Sequence, residues 1–127
     1  MQLNLERPDY TYFLRGADGR QALVNERTLD RSFVIAPEAL VEAWPVTDAR
    51  SMQPGDLEPM LALQPEVIVL GTGPTQRFPS AAVMHACLSR NVGFEVMDNA
   101  AAARTYSVLA GEGRRVVAGF IFPMDPA

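Results

Sequence analysis

The clearest signal in the hydrophobic pattern is a run of four apolar residues, Val67-Ile68-Val69-Leu70, followed at once by Gly71-Thr72-Gly73. A run with no polar face, rich in β-branched residues, predicts a strand covered on both sides, as in a parallel sheet. A helix is expected from near Pro79, because proline suits a first helical turn. Val83, Met84, Cys87 and Leu88 would form its buried face, with Asn91 and Gly93 as the stop. Phe94-Glu95-Val96-Met97 reads as the next strand. A second helix follows, capped by Asp98 or Asn99, with Ala102, Tyr106, Leu109 and Ala110 on one stripe. Gly111 and Gly113 end it. Residues 116–122 form the last strand, which Pro123 stops. Short connections of this kind favour right-handed crossovers and a mainly parallel sheet.

Residues 1–53 read differently, as a β-rich half. Residues 10–14 have a strand composition. The Asp18-Gly19 pair predicts a turn, and residues 21–25 return as the second strand of a hairpin. Residues 32–36 give a third strand that Pro37 ends, because proline lacks the ladder donor. Residues 40–46, with the only tryptophan, Trp44, are either a short strand or an irregular crossing. Pro54 opens a short helix to about Leu63, with Asp56 as N-cap and Pro65 as its end. The expected fold is therefore α/β. One layered domain spans 1–127, with a β-rich half (1–53) packed on a strand-helix-strand-helix-strand half (54–122) and a loose tail (123–127).

Composition narrows the function classes. The 127 residues are 48% apolar, and the single cysteine, Cys87, excludes an internal disulfide. The formal net charge is -4, from 15 acidic and 11 basic residues. That balance argues against nucleic-acid binding, which rests on neutralising phosphates. Every basic residue is arginine, so a lysine Schiff base and a Walker P-loop are both excluded. The first residues lack a charged stretch followed by an apolar one, so no secretory signal is expected. No apolar run approaches the ~20 residues that span a bilayer. A cytoplasmic protein without direct membrane insertion is the expectation.

The candidate chemistry gathers at the end of the apolar strand. In open α/β sheets ligands bind beyond the carboxyl ends of the strands. Gly71, Thr72 and Gly73 stand there, and Arg77 lies just before the expected helix start, where a guanidinium and free N–H groups could meet an anion. Asp98 ends the next strand, where a dinucleotide fold often keeps a ribose-binding acid. Yet Gln76 stands where that fingerprint needs glycine, and Pro74 removes a loop donor. A tight turn is the simpler reading of the glycines, a capping role that of Asp98, and a solvated loop arginine that of Arg77. Glu112 and Arg114 form a second, weaker candidate surface, or a surface ion pair of little worth. His85 falls off the apolar stripe and is expected in solvent, while Cys87 reads as a small core residue. No cofactor or metal site is expected.

Taken in order, Val69-Leu70-Gly71-Thr72-Gly73, Arg77-Phe78-Pro79, Val96-Met97-Asp98-Asn99-Ala100, Thr105-Tyr106-Ser107-Val108-Leu109 and Glu112-Gly113-Arg114 resemble one family. It is the family of small domains that includes the mitochondrial NADH dehydrogenase 1 alpha subcomplex assembly factor 3 and an adipogenesis-associated protein. Ser107 departs from the asparagine often found there. The resemblance implies a mixed α/β fold, no assigned reaction and no cofactor. It also implies a role with other proteins, because mitochondrial members act in assembling respiratory complex I. The leading expectation is a non-catalytic interaction domain that contacts another protein through Gly71, Thr72, Gly73 and Arg77. The rival is a small-anion or nucleotide-binding domain, or an enzyme, using the same loop. A third reading is a homo-oligomer paired through an edge strand.

Overall fold

The structure, a computed structural model, describes residues 9–123. Expectations for the first residues and for 124–127 lie outside that range. In chain order the elements are β1 (Leu14–Ala17), β2 (Ala22–Val24), β3 (Arg27–Leu29), β4 (Phe33–Ala36), β5 (Ala39–Val41), α1 (Glu58–Leu61), β6 (Val67–Gly71), α2 (Ala81–Leu88), β7 (Gly93–Met97), α3 (Asn99–Gly111) and β8 (Val116–Phe120).

The fold is mixed α/β, as expected, and the β-rich half does two things. β4 and β5 extend the main sheet, whereas β1, β2 and β3 form a separate antiparallel sheet beside it. The Asp18-Gly19 turn joins β1 to β2, and the Asp18 carboxylate accepts the Arg20 and Gln21 amides at 2.8 and 2.9 Å. The first strand begins at Leu14 rather than covering 10–14. The amides of Thr11 and Tyr12 go to the Pro37 carbonyl, and that of Phe13 goes to Asn25 Oδ1. With those donors occupied outside any ladder, the segment cannot be a strand. β3 was not foreseen. Asn25, at φ 52°, makes the tight turn that sets Val24 opposite Arg27. Pro37 likewise does more than end β4, because a two-residue turn there pairs Ala36 with Ala39. Of residues 40–46, the first two complete β5 and the rest cross irregularly.

The helix expected from Pro54 opens as a 3-10 turn, Pro54–Leu57, before α1. Asp56 is not its N-cap. Gln53 holds that place, and Asp56 reaches back to accept the Gln53 amide at 2.8 Å. Proline at the first position fixes the start three residues earlier than an Asp56 cap would. Pro79 lies just outside α2, whose N-cap is Ser80. Gly93 opens β7 rather than ending α2; Asn91, at φ 59°, makes the turn between them.

The main sheet has the order β5-β4-β8-β6-β7. β8, β6 and β7 are parallel, and β4 and β5 run antiparallel. All five residues of β6 are buried, so its unbroken apolar run follows from its central place. Alternate side chains enter two cores. Phe33, Ile35, Val67, Val69, Ala118 and Phe120 face α3 and the small sheet. Val34, Ile68, Leu70 and Val117 face Val83 and Cys87 of α2 and the segment around Trp44 and Met60. Phe33 stacks on Phe120 with centroids 5.2 Å apart. Leu88 was expected in this core but is 61% exposed, because α2 is short and buries only the narrow Val83/Cys87 stripe. Each large side chain buried in these cores contributes about 1.5–3 kcal/mol relative to exposure.

Candidate functional site

The loops leaving β6 and β7 run to opposite faces of the sheet, since α2 packs on one core and α3 on the other. Such a divergence opens a crevice at the carboxyl ends of adjacent parallel strands. Here the protein fills that crevice with its own side chains. A Cβ on Gly71 would lie 2.5 Å from Asn99 Oδ1 and 3.0 Å from the Phe120 ring. Gly73, at φ 105°, turns the chain so that its N–H donates to Asn99 Oδ1 at 3.0 Å. The Asn99 amide nitrogen donates to the carbonyls of Asp18 and Ile121 at 3.0 and 3.1 Å. Asn99 is wholly buried. One side chain therefore ties together the β6 loop, the β1–β2 turn and the end of β8.

Thr72 does the same on the other side of the loop. Its N–H donates to the Met97 carbonyl, and its hydroxyl donates to Thr75 O at 2.7 Å. The hydroxyl oxygen also accepts the Arg77 N–H at 3.0 Å. Gln76 adds a bond from its side-chain amide to the Val96 carbonyl. The amides of residues 72, 73 and 77 thus point at protein acceptors rather than at a vacant anion site. The Asp98 carboxylate caps α3 by accepting the Ala101 N–H at 2.8 Å. This arrangement is a closed turn, not a phosphate cradle.

What this loop presents is its tip. Residues 74–78 are all exposed, and Phe78 is 57% exposed beside Arg77. Arg77 does not sit at a helix start. Three residues separate it from α2, and the Ser80 hydroxyl serves the first turn through the Val83 N–H. Glu112 and Arg114 are not near this loop. α3 runs back along the sheet, so they lie at the opposite end, where the strands begin. Arg114 pairs with Glu66 at 3.2 Å, and Glu66 also accepts the Arg115 N–H at 2.8 Å. The Arg115 amide first, and then the Arg114 guanidinium, hold the Glu66 carboxyl below its ordinary value. His85 is exposed, as its place off the apolar stripe predicts. Cys87 is buried, and burial pushes its thiol pKa up, which disfavours a thiolate nucleophile. Among the described residues no cluster of three His, Cys, Asp or Glu side chains could hold a metal.

A second feature, with no signature in the sequence, lies at the same end of the sheet. An open cleft of about 830 Å³ lies between the β1–β2 turn, the start of β4 and the segment after β5. Buried Trp44, Phe122 and Ser32 line it, and Arg20, Arg31 and Asp30 are its charged groups. Pro74, at the root of the exposed loop, borders it. No spacing rule connects positions 20, 31 and 44, so only the fold brings them together.

Comparison with known proteins gives the chain a family. The model of the family described as "Protein of unknown function (DUF498/DUF598)" matches residues 15–121. The chain is 29% identical over 116 residues to NADH dehydrogenase (ubiquinone) 1 alpha subcomplex assembly factor 3 of Danio rerio, covering 90% of this chain and 63% of that protein. It is 30% identical over 71 residues to the "13 kDa major membrane protein" of Francisella tularensis subsp. holarctica, covering 56% of this chain and 58% of that one. The chain thus spans about three-fifths of the length of these relatives. An NMR structure of a Xanthomonas campestris protein superposes with a TM-score of 0.84 at 55% identity, covering 100% of this chain and 97% of that one. The chain belongs to the DUF498/DUF598 family.

Proposed function

We propose that this member of the DUF498/DUF598 family is a non-catalytic, assembly-factor-like interaction domain whose partner is another protein. The contact surface in this reading is the loop that follows Gly71, Thr72 and Gly73 and ends on Arg77 and Phe78. The observation that carries it is the pairing of an exposed aromatic with an exposed arginine on a loop whose root is pinned. Arginine and aromatic residues are enriched where binding energy concentrates, and a preordered loop loses less entropy on binding. The relation to a protein named as an assembly factor supports the same reading.

Asp98 acts in this proposal as the cap that holds the loop's neighbour in place. Glu112 and Arg114 would serve only a second, weaker surface, since Arg114 is already paired with Glu66. No helix among the described residues is long and apolar enough to cross a membrane. We place the protein in the cytoplasm, while one relative carries the name of a membrane protein. Affinity capture from the source cell, with wild type and Arg77→Ala compared quantitatively, tests the proposal. A protein retained by wild type and depleted in the variant is expected. Identical capture by both would overturn the loop assignment, and turnover of a small substrate that Arg77→Ala abolishes would overturn the non-catalytic reading.

A further inference from the structure

We infer that the Arg20/Arg31 cleft is a binding site for a small carboxylate carried on an apolar or aromatic body. This does not rest on the interaction role proposed for the Arg77 loop. Arginines without an ion pair are common on this chain. These two differ because both line one concave site, with no ion pair for either among the described residues.

Their backbone positions are fixed. Arg20 sits in the Asp18 turn, where its own N–H is bound to the Asp18 carboxylate, and the Asp18 carbonyl is held by Asn99. A Cβ on Gly19 would lie 2.6 Å from Pro74, so this turn seats tightly against the neighbouring loop. Arg31 precedes Ser32, a buried residue whose hydroxyl oxygen accepts the Phe122 N–H at 3.0 Å. Stems that leave anchored backbone need less ordering when their guanidinium groups close on an anion.

Charge and surface then select the ligand. The lining holds two arginines and one aspartate, Asp30, a net single positive charge that suits a single negative charge better than a dianionic phosphate. A guanidinium matches a carboxylate with two parallel bonds. The exposed prolines Pro45, Pro74 and Pro123 offer apolar surface, with Trp44 and Phe122 buried behind them, and the cleft volume falls within the range of about 300–1,000 Å³ usual for small-molecule sites.

Titration with benzoate, followed by amide NMR, tests the inference. Trp44 is the only tryptophan, so its indole N–H, bonded to the Asp56 carbonyl at 2.9 Å, gives one assignable reporter on a residue that lines the cleft. Saturable shifts at Trp44, Gly19 and Ser32 are expected at millimolar benzoate. Arg20→Gln and Arg31→Gln should each weaken binding about tenfold, while Arg77→Gln leaves it unchanged. Both cleft arginines are exposed, so the rest of the spectrum should match wild type and show that the variants fold. Inorganic phosphate and benzyl alcohol are the comparison probes. Absence of saturable shifts, insensitivity to both cleft substitutions, or binding of either comparison probe as tight as benzoate would overturn the assignment.

Discussion

Asn99 is the residue on which the strand-end geometry turns. It has one carbonyl and one amide group, and the structure uses both: one acceptor bond from Gly73 and two donor bonds to Asp18 and Ile121. Replacing it by alanine would leave three backbone groups without that partner, the Gly73 N–H and the Ile121 carbonyl among them fully buried. Asn99→Ala should therefore cost about 3 kcal/mol, read as a lower urea midpoint. Gly71→Ala should be at least as damaging, because its Cβ meets Asn99 Oδ1 at 2.5 Å with the Phe120 ring close behind. A Gly71→Ala protein with a wild-type midpoint would contradict the crevice described here. The glycines themselves were legible as a site of close approach. What approaches them was not, because a glycine reports that space is needed and not whether a ligand or a side chain fills it. Asn99 was read as one of two capping residues, and nothing local distinguishes a cap from a hub that reaches positions 18, 73 and 121.

At the scale of elements, the two ends of the main sheet are held by different chemistry. The carboxyl ends rely on buried neutral hydrogen bonds, while the starts of β6 and β8 are joined through Glu66, Arg114 and Arg115. A carboxyl whose folded pKa is depressed contributes stability above its unfolded value and loses it as the pH falls through the folded one. Glu66→Gln should therefore be less stable than wild type at neutral pH. The gap should close as the pH drops below the ordinary glutamate range, as denaturation midpoints measured across pH would show. On the α3 face, the Tyr106 hydroxyl donates to the Tyr12 carbonyl at 2.8 Å and ties the helix to the segment before β1. Tyr106→Phe should lose about 1–2 kcal/mol. β4, β6 and β8 were legible because burial on two faces leaves an unbroken apolar run. The small sheet was only partly so. Its strands are three or four residues long, and the aromatic segment before β1 has its backbone donors drawn to Pro37 and Asn25.

Viewed as a whole molecule, the domain has a polarity that the sequence could not reveal. The sequence offered Gly71, Thr72, Gly73, Arg77 and Asp98 as candidates, with Glu112 and Arg114 as a second, weaker surface. Chain order cannot show that α3 carries its last residues back to the far end of the sheet. The structure divides the set: the glycine loop and Asp98 lie at the carboxyl ends with the arginine cleft, and Glu112 and Arg114 lie at the other. The proposal that the Arg77–Phe78 tip is the partner surface therefore has a built-in spatial control. A photo-crosslinking amino acid placed at position 78, and separately at position 112, tests it most directly in the source cell. A discrete adduct with another protein is expected from position 78 and none from position 112. Adducts from position 112 with none from position 78 would contradict it.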